Sequence, residues 1–211
     1  MVANLSAMDV GQLAALAAAL GWASGLRLYA VVFLTGAAGT MGWIPLPDGL
    51  KLLQHPVVLI ASFAMFAIEF VADKIPGLDS LWDTVHTFIR IPAGAALAAG
   101  ALGGDGAAWT LVAALMGGTL AATSHAAKAT TRAAVNTSPE PFSNIALSLA
   151  GDAFVPALLW LAVEHPSWFW PALAVLVVLS LVLVFVLFRF LRALLRRVRG
   201  ATQPPAAGAA A

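Results

Sequence analysis

Apolar positions gather into six long stretches, set apart by short clusters of Gly, Pro, Asn and Asp. Runs of about 18 to 20 apolar residues match the ~30 Å of hydrocarbon that a spanning helix must cross. The intervening clusters break helices and expose backbone that water must satisfy. The pattern predicts spans over 10–39, 56–73, 79–103, 107–135, 143–163 and 168–188. The first is longer than a straight crossing needs and holds Gly21, Ser24 and Gly25 beside Arg27, which predicts a tilt, kink or break near Gly25. Pro56 suits a first-turn position in the second. The third is interrupted by Pro92 and Gly94, and its first half is too polar to face lipid. The last third of the fourth, with His125, Lys128 and Arg132, is expected to leave the hydrocarbon core. Ser138 to Asn144 reads as a rigid loop, with Ser143 or Asn144 capping the fifth helix. From Ala174 onward the sixth is apolar on nearly every face, with Ser180 its only polar residue, and is the best lipid-facing candidate.

Composition sharpens the class. Of 211 residues, 61% are hydrophobic and 10% charged, against ~45–50% and ~25% in an average soluble domain. This excludes a soluble fold and predicts an all-α membrane protein, a bundle of about six helices forming one domain over 1–199. A Pro/Ala/Gly tail over 200–211 is expected to be disordered. The absence of cysteine excludes disulfides, thiolate metal sites and thiol nucleophiles. A net charge of +1 gives no basic field for nucleic acid. No Ser-His-Asp spacing, Gly-rich phosphate loop or HExxH motif is present. Met1 to Val10 carries no Lys or Arg and leads into no clear cleavage site, so it reads as mature protein.

Charge placement gives orientation. Arg189, Arg192, Arg196, Arg197 and Arg199 put the C-terminus on the cytoplasmic side, and six crossings put the N-terminus there too. Lys74, Lys128 and Arg132 then fall on cytoplasmic flanks, while Lys51, Asp48, Asp105 and Glu164 fall outside. The expected location is the cell inner membrane, with anionic lipids held by the Arg-rich flank at ~1 kcal/mol per residue. A three-plus-three inverted repeat stays open on slight grounds, chiefly Ile91-Pro92-Ala93 against Val155-Pro156-Ala157. Gly- and Ala-rich faces leave a homo-oligomer open as well. Trp43, Trp109, Trp168 and Trp170 suit interfacial anchoring.

Ionisable residues within the spans carry the remaining information, because each costs at least ~2.5–3.5 kcal/mol at the bilayer centre and normally faces a partner inside the bundle. Arg27 invites either an anion or an ion pair with a buried acid such as Asp152. Glu69 and Asp73 are four apart, and Asp79, Asp83, His86 and Arg90 follow at spacings of four, three and four, so each set makes one helical stripe. His125, Lys128 and Arg132, three and four apart, make a complementary basic stripe at the same depth. Such stripes predict either an ion-pair lattice or a cytoplasmic vestibule whose carboxylates load protons or cations. A divalent ion on Glu69, Asp73, Asp79 and Asp83 is a weaker option, no spacing being a metal signature, so no metal or other cofactor is assigned. Asp152, between Gly151 and Ala153, is the most isolated buried acid and suits either a structural pair or a proton relay.

Gly25-Leu-Arg-Leu-Tyr29, Glu69-Phe-Val-Ala-Asp-Lys-Ile-Pro-Gly-Leu-Asp79 with Asp83, and Ser138-Pro-Glu-Pro-Phe-Ser-Asn144 together resemble a membrane family, the domain of unknown function 4126. The resemblance covers roughly Val10 to Val163 and implies a compact multi-pass domain without assigning any catalytic or binding role. The residues favour transport or permeation of a small polar or charged solute, proton- or cation-coupled. The alternatives are a membrane enzyme acting on a lipid headgroup, with Asp or His as acid and base, and a structural scaffold or assembly factor.

Overall fold

The computed structural model describes residues 8–137 and 142–201. Six α-helices follow in order: α1 (Val10–Thr40), α2 (Pro56–Ala72), α3 (Leu78–Leu102), α4 (Ala107–Val135), α5 (Phe142–Glu164) and α6 (Pro166–Ala201). Short 3-10 turns at Asp48–Gln54 and Gly103–Asp105 precede α2 and α4, and no strand occurs among the described residues. Five helices are long and apolar enough to cross a membrane, or six if the turn Asp48–Gln54 and α2, bent by 70°, are counted as one span.

Asp9 and Gln12 form a reciprocal capping box that fixes where α1 begins. The Gln12 side chain also donates to the Val163 carbonyl, tying the start of α1 to the end of α5. The helix is interrupted at Arg27, whose backbone is non-helical (φ −144°, ψ 73°). The chain folds back there. Leu16 lines one cavity together with Leu34, Thr35 and Ala38 from beyond the break, whereas a straight helix would separate Leu16 from Thr35 by about 28 Å. Contacts along each arm give the same path. Trp22 packs edge-on against Phe154 and Arg27 meets Ser148, so arm 10–26 descends beside α5. Phe33 then stacks near Phe63, and Gly36 lies against Leu53 and Leu59, so arm 28–40 returns beside α2.

The bundle therefore has two ends. At one end meet the turn of α1, the last turns of α2 and α4, and the first turns of α3 and α5. At the other lie both ends of α1, the 3-10 turn Asp48–Gln54 and the α3–α4 and α5–α6 connections. Both arms of α1 start or finish at this far end, so the described start of the chain and the end of α6 occupy opposite ends of the molecule. Both termini themselves, expected on one side of the membrane, lie outside the described residues.

Small residues let α1 occupy the centre. A Cβ placed on Gly21 would sit 2.6 Å from Cα of Gly117, and one on Gly94 would sit 2.7 Å from Cβ of Ala121, so α1, α3 and α4 cross almost backbone to backbone. Pro56 sits in the first turn of α2, as expected. Asn144, expected as a cap, instead lies inside the first turn of α5, where its side chain accepts from Arg132 and donates to Asn136. A buried guanidinium needs acceptors, and this demand outweighs capping. Residues 138–141 of the expected loop and 202–211 of the expected tail lie outside the described residues. α6 continues past Phe188 to Ala201.

Candidate functional site

The break at Arg27 frees backbone acceptors in the bundle interior. The Leu26 carbonyl accepts from Lys128 Nζ at 3.1 Å, and the Gly25 carbonyl lies 3.3 Å from His125 Nδ1. Irregular backbone at such depth is tolerated only where protein groups satisfy it. Close approach depends on Gly25, where any Cβ would collide with Ser124 Oγ and the Ala121 carbonyl. Ser124 Oγ donates across the gap to the Trp22 carbonyl at 2.6 Å, locking α4 to the descending arm.

Around this break, five acids and five bases form one continuous lattice of alternating charge. Arg90 bridges Glu69 at 2.5 Å and Asp83 at 2.6 Å. Lys128 bridges Asp83 at 3.0 Å and Asp73 at 2.8 Å. Arg27 bridges Asp73 and, at 3.0 Å, Asp152, which Lys74 meets from the other side at 3.3 Å. Arg132 reaches Asp79 at 3.6 Å and Asp73 at 3.9 Å. Neutral groups complete the shell. Arg27 donates to the carbonyl and hydroxyl of Ser148, and Asn136 donates to Asp79 at 2.9 Å. Glu69, Asp73, Asp79 and Arg90 are fully shielded from the surface. Glu69 Oε2, Asp73 Oδ1 and Asp83 Oδ2 have no hydrogen-bond partner among the described residues.

The stripes read from spacing thus interlock at one depth, and the Arg27–Asp152 pair is present. The acidic and basic stripes pack face to face as an ion-pair lattice, one of the two arrangements the spacing left open, because each buried charge draws in an opposite one. Asp152 is not isolated, being held between Arg27 and Lys74. The divalent-ion arrangement does not form, since no three His, Asp or Glu residues among those described converge to hold a metal. The bases interleaved between the carboxylates keep them apart.

The histidines stand beside the lattice. Thr87 gives its hydroxyl proton to the Asp83 carbonyl at 2.9 Å, so His125 Nε2, 2.7 Å away, must donate to Thr87. Neutral His125 then accepts from Arg90 at Nδ1, whereas a protonated ring would donate from Nδ1 to the Gly25 carbonyl. His86 is farther out, stacked on Trp82 with ring centroids 4.1 Å apart and Nε2 3.2 Å from the Tyr29 hydroxyl.

Arg90, on the stripe with Asp79 and Asp83, turns out to be the base that joins that stripe to Glu69, and Lys74, expected on a flank, joins the lattice through Asp152. Asn136, four after Arg132, and Ser148, four before Asp152, extend the same pattern. Lys74 lies in the α2–α3 turn with its ammonium over the Phe70 ring. Burial there pushes its pKa below the ordinary lysine range, and Asp152 opposes the shift.

Beside the lattice lies a cavity of about 250 Å³ bounded by the turn of α1, α4, α5 and α6. Arg27, Lys128 and Arg132 form one wall, and Leu176, Leu179 and Leu183 of α6 form the other. No carboxylate and no histidine lines it.

No curated protein and no solved structure matches the chain. A family profile matches residues 14–189, reaching into the sixth helix and so past Val163. The chain belongs to the family described as Domain of unknown function (DUF4126).

Proposed function

We propose that this protein carries a small anion across the membrane together with a proton, with Asp73 as the proton site and Arg27, Lys128 and Arg132 as the anion site. One observation carries this reading: the three bases that share Asp73 are the same three charged residues that line the cavity. Protonating Asp73, whose Oδ1 is unpartnered, removes the one carboxylate charge that all three share and leaves them an excess of positive charge for a ligand. The charge balance adds a reason for coupling. An anion or a proton entering alone leaves a buried net charge, which costs several kcal/mol or more. Entering together they leave the lattice neutral. Asp73 pairs with Arg27 from α1 and with Lys128 and Arg132 from α4, and through these bases it adjoins Asp152 from α5 and Asp83 and Asp79 from α3, while Arg90 and Lys74 feel its charge. Broken helices that present charged groups near the bilayer interior are a recurrent carrier device. Arg189, Arg192 and Arg196 extend beyond the lattice end, which favours a cytoplasmic position for that end, contact there with anionic lipids, and residence in the cell inner membrane. Headgroup chemistry is not proposed, since the cavity holds neither an acid nor an imidazole.

The test is proton movement into proteoliposomes holding a pH dye, driven by inward gradients of lactate or inorganic phosphate. Protein-dependent acidification is expected, at least tenfold reduced in Asp73→Asn. Gly151→Val, which narrows the cavity from α5 outside the lattice, should reduce it comparably. A folded Asp73→Asn protein that still acidifies the lumen at the wild-type rate refutes the proposal. A second reading, a purely structural lattice, is favoured by the exact pairing of five acids with five bases. It predicts no flux with any anion and a loss of stability alone in the variants.

A further inference from the structure

The anion cavity does not end at its charged wall. Leu176 of α6 also lines a second cavity, of about 500 Å³, between α5 and α6. Its wall is apolar throughout, with Phe154, Leu158 and Leu161 from α5 and Trp168 and Val175 from α6. The two share Leu176 and follow one another along α5 and α6, so an apolar groove continues the line of the three bases toward the far end. From Ser180, in the charged cavity, to Trp168, at the end of the apolar one, the helix rises about 18 Å. An extended chain of roughly a dozen methylenes spans this length. A phosphate or carboxylate alone has no use for such an extension.

We infer that the ligand is amphipathic: a carboxylate or phosphate on a single acyl chain, its head on Arg27, Lys128 and Arg132 and its chain between α5 and α6. This rests on the anion site proposed above and names its substrate class. Charge complementarity selects the head. One apolar groove continues from the charged cavity along α6, which selects one chain over two, and so a free amphipathic acid over a diacyl phospholipid.

The full chain in zwitterionic phosphatidylcholine nanodiscs, with protein-free discs subtracted, is titrated with radiolabelled dodecanoate and, separately, acetate. Saturable binding of one dodecanoate per chain is expected, at least tenfold tighter than acetate. Leu176→Trp, which plugs the junction and lies outside the ion lattice, should weaken dodecanoate at least tenfold. Dodecanol should fail to displace dodecanoate, and so should phosphatidylglycerol doped into the disc. The inference is overturned if Leu176→Trp binds dodecanoate as the wild type does, if acetate binds equally well, or if dodecanol or phosphatidylglycerol displaces the probe. Equal binding of acetate would leave the anion site standing and remove only the chain. Failure of both carboxylates to bind would remove the anion site as well.

Discussion

α1 and α6 are both long apolar helices, yet 78% of the spanning window of α1 is buried inside the protein and only 11% of that of α6. The more apolar helix is the less buried one. In water this order would be reversed, because burial would follow hydrophobicity. In a bilayer the lipid is as apolar as leucine, so the interior goes to helices whose small side chains permit close packing and whose polar groups find partners. α1 is built from Ala and Gly with one arginine at its break. α6 is built from Leu, Val and Phe and presents them outward, with Leu181 56% and Phe185 62% exposed.

The strongest way to break this contrast is to enlarge the small side of it. Gly25→Val should abolish folding outright, because even one Cβ there overlaps Ser124 and the Ala121 carbonyl. The check is loss of a monodisperse peak on size exclusion after detergent extraction, and a folded variant with wild-type stability would contradict the packing described. Next in size is Arg27→Ala, which strands Asp73 and Asp152 beside too few bases and should cost ~3–5 kcal/mol in denaturant unfolding. Arg27→Met/Asp152→Leu restores equal numbers of acids and bases and should recover part of that loss. If the double variant is no better than the single one, charge balance is not what holds the turn of α1.

The other side of the contrast predicts small effects. Leu181→Ala on α6 should change stability by no more than ~0.5 kcal/mol, since its side chain leaves little behind to collapse. A loss of several kcal/mol would show that α6 is covered by protein rather than lipid. Smallest of all is Asp48→Asn at the far end. Lys51 hydrogen-bonds Asp48 and holds its carboxyl below the usual carboxylate range. The two side chains are 92% and 62% exposed, so water screens the pair. No measurable change in Tm is expected, in salt or without it.

Much of this organisation was legible from residue order. Stripes at spacings of three and four had to present Glu69 with Asp73, and Asp79 with Asp83 and Arg90, on single helix faces, because helical geometry allows nothing else. Buried charges had to be paired, which foretold a lattice. Spacing said nothing about which base meets which acid. Asp73 takes three bases only because α1 turns back beside it, and Lys74 joins the lattice only because α5 carries Asp152 past the α2–α3 turn.

By itself, then, the sequence determined the class, the helices, the outward-facing α6 and the depth at which the charges gather. These follow from local properties: hydropathy over a span, helix periodicity and the cost of an unpaired charge in hydrocarbon. The tertiary structure decided that α1 is two arms rather than one straight helix, that the two described ends of the chain lie at opposite ends of the bundle, and that three bases face one cavity. Hydropathy cannot separate one long crossing from two arms of equal apolarity, and the expected break near Gly25, found at Arg27, does not by itself say that the chain folds back. The turn is held by contacts from α4, with Lys128 on the Leu26 carbonyl and Ser124 against Gly25, about a hundred residues away in the chain.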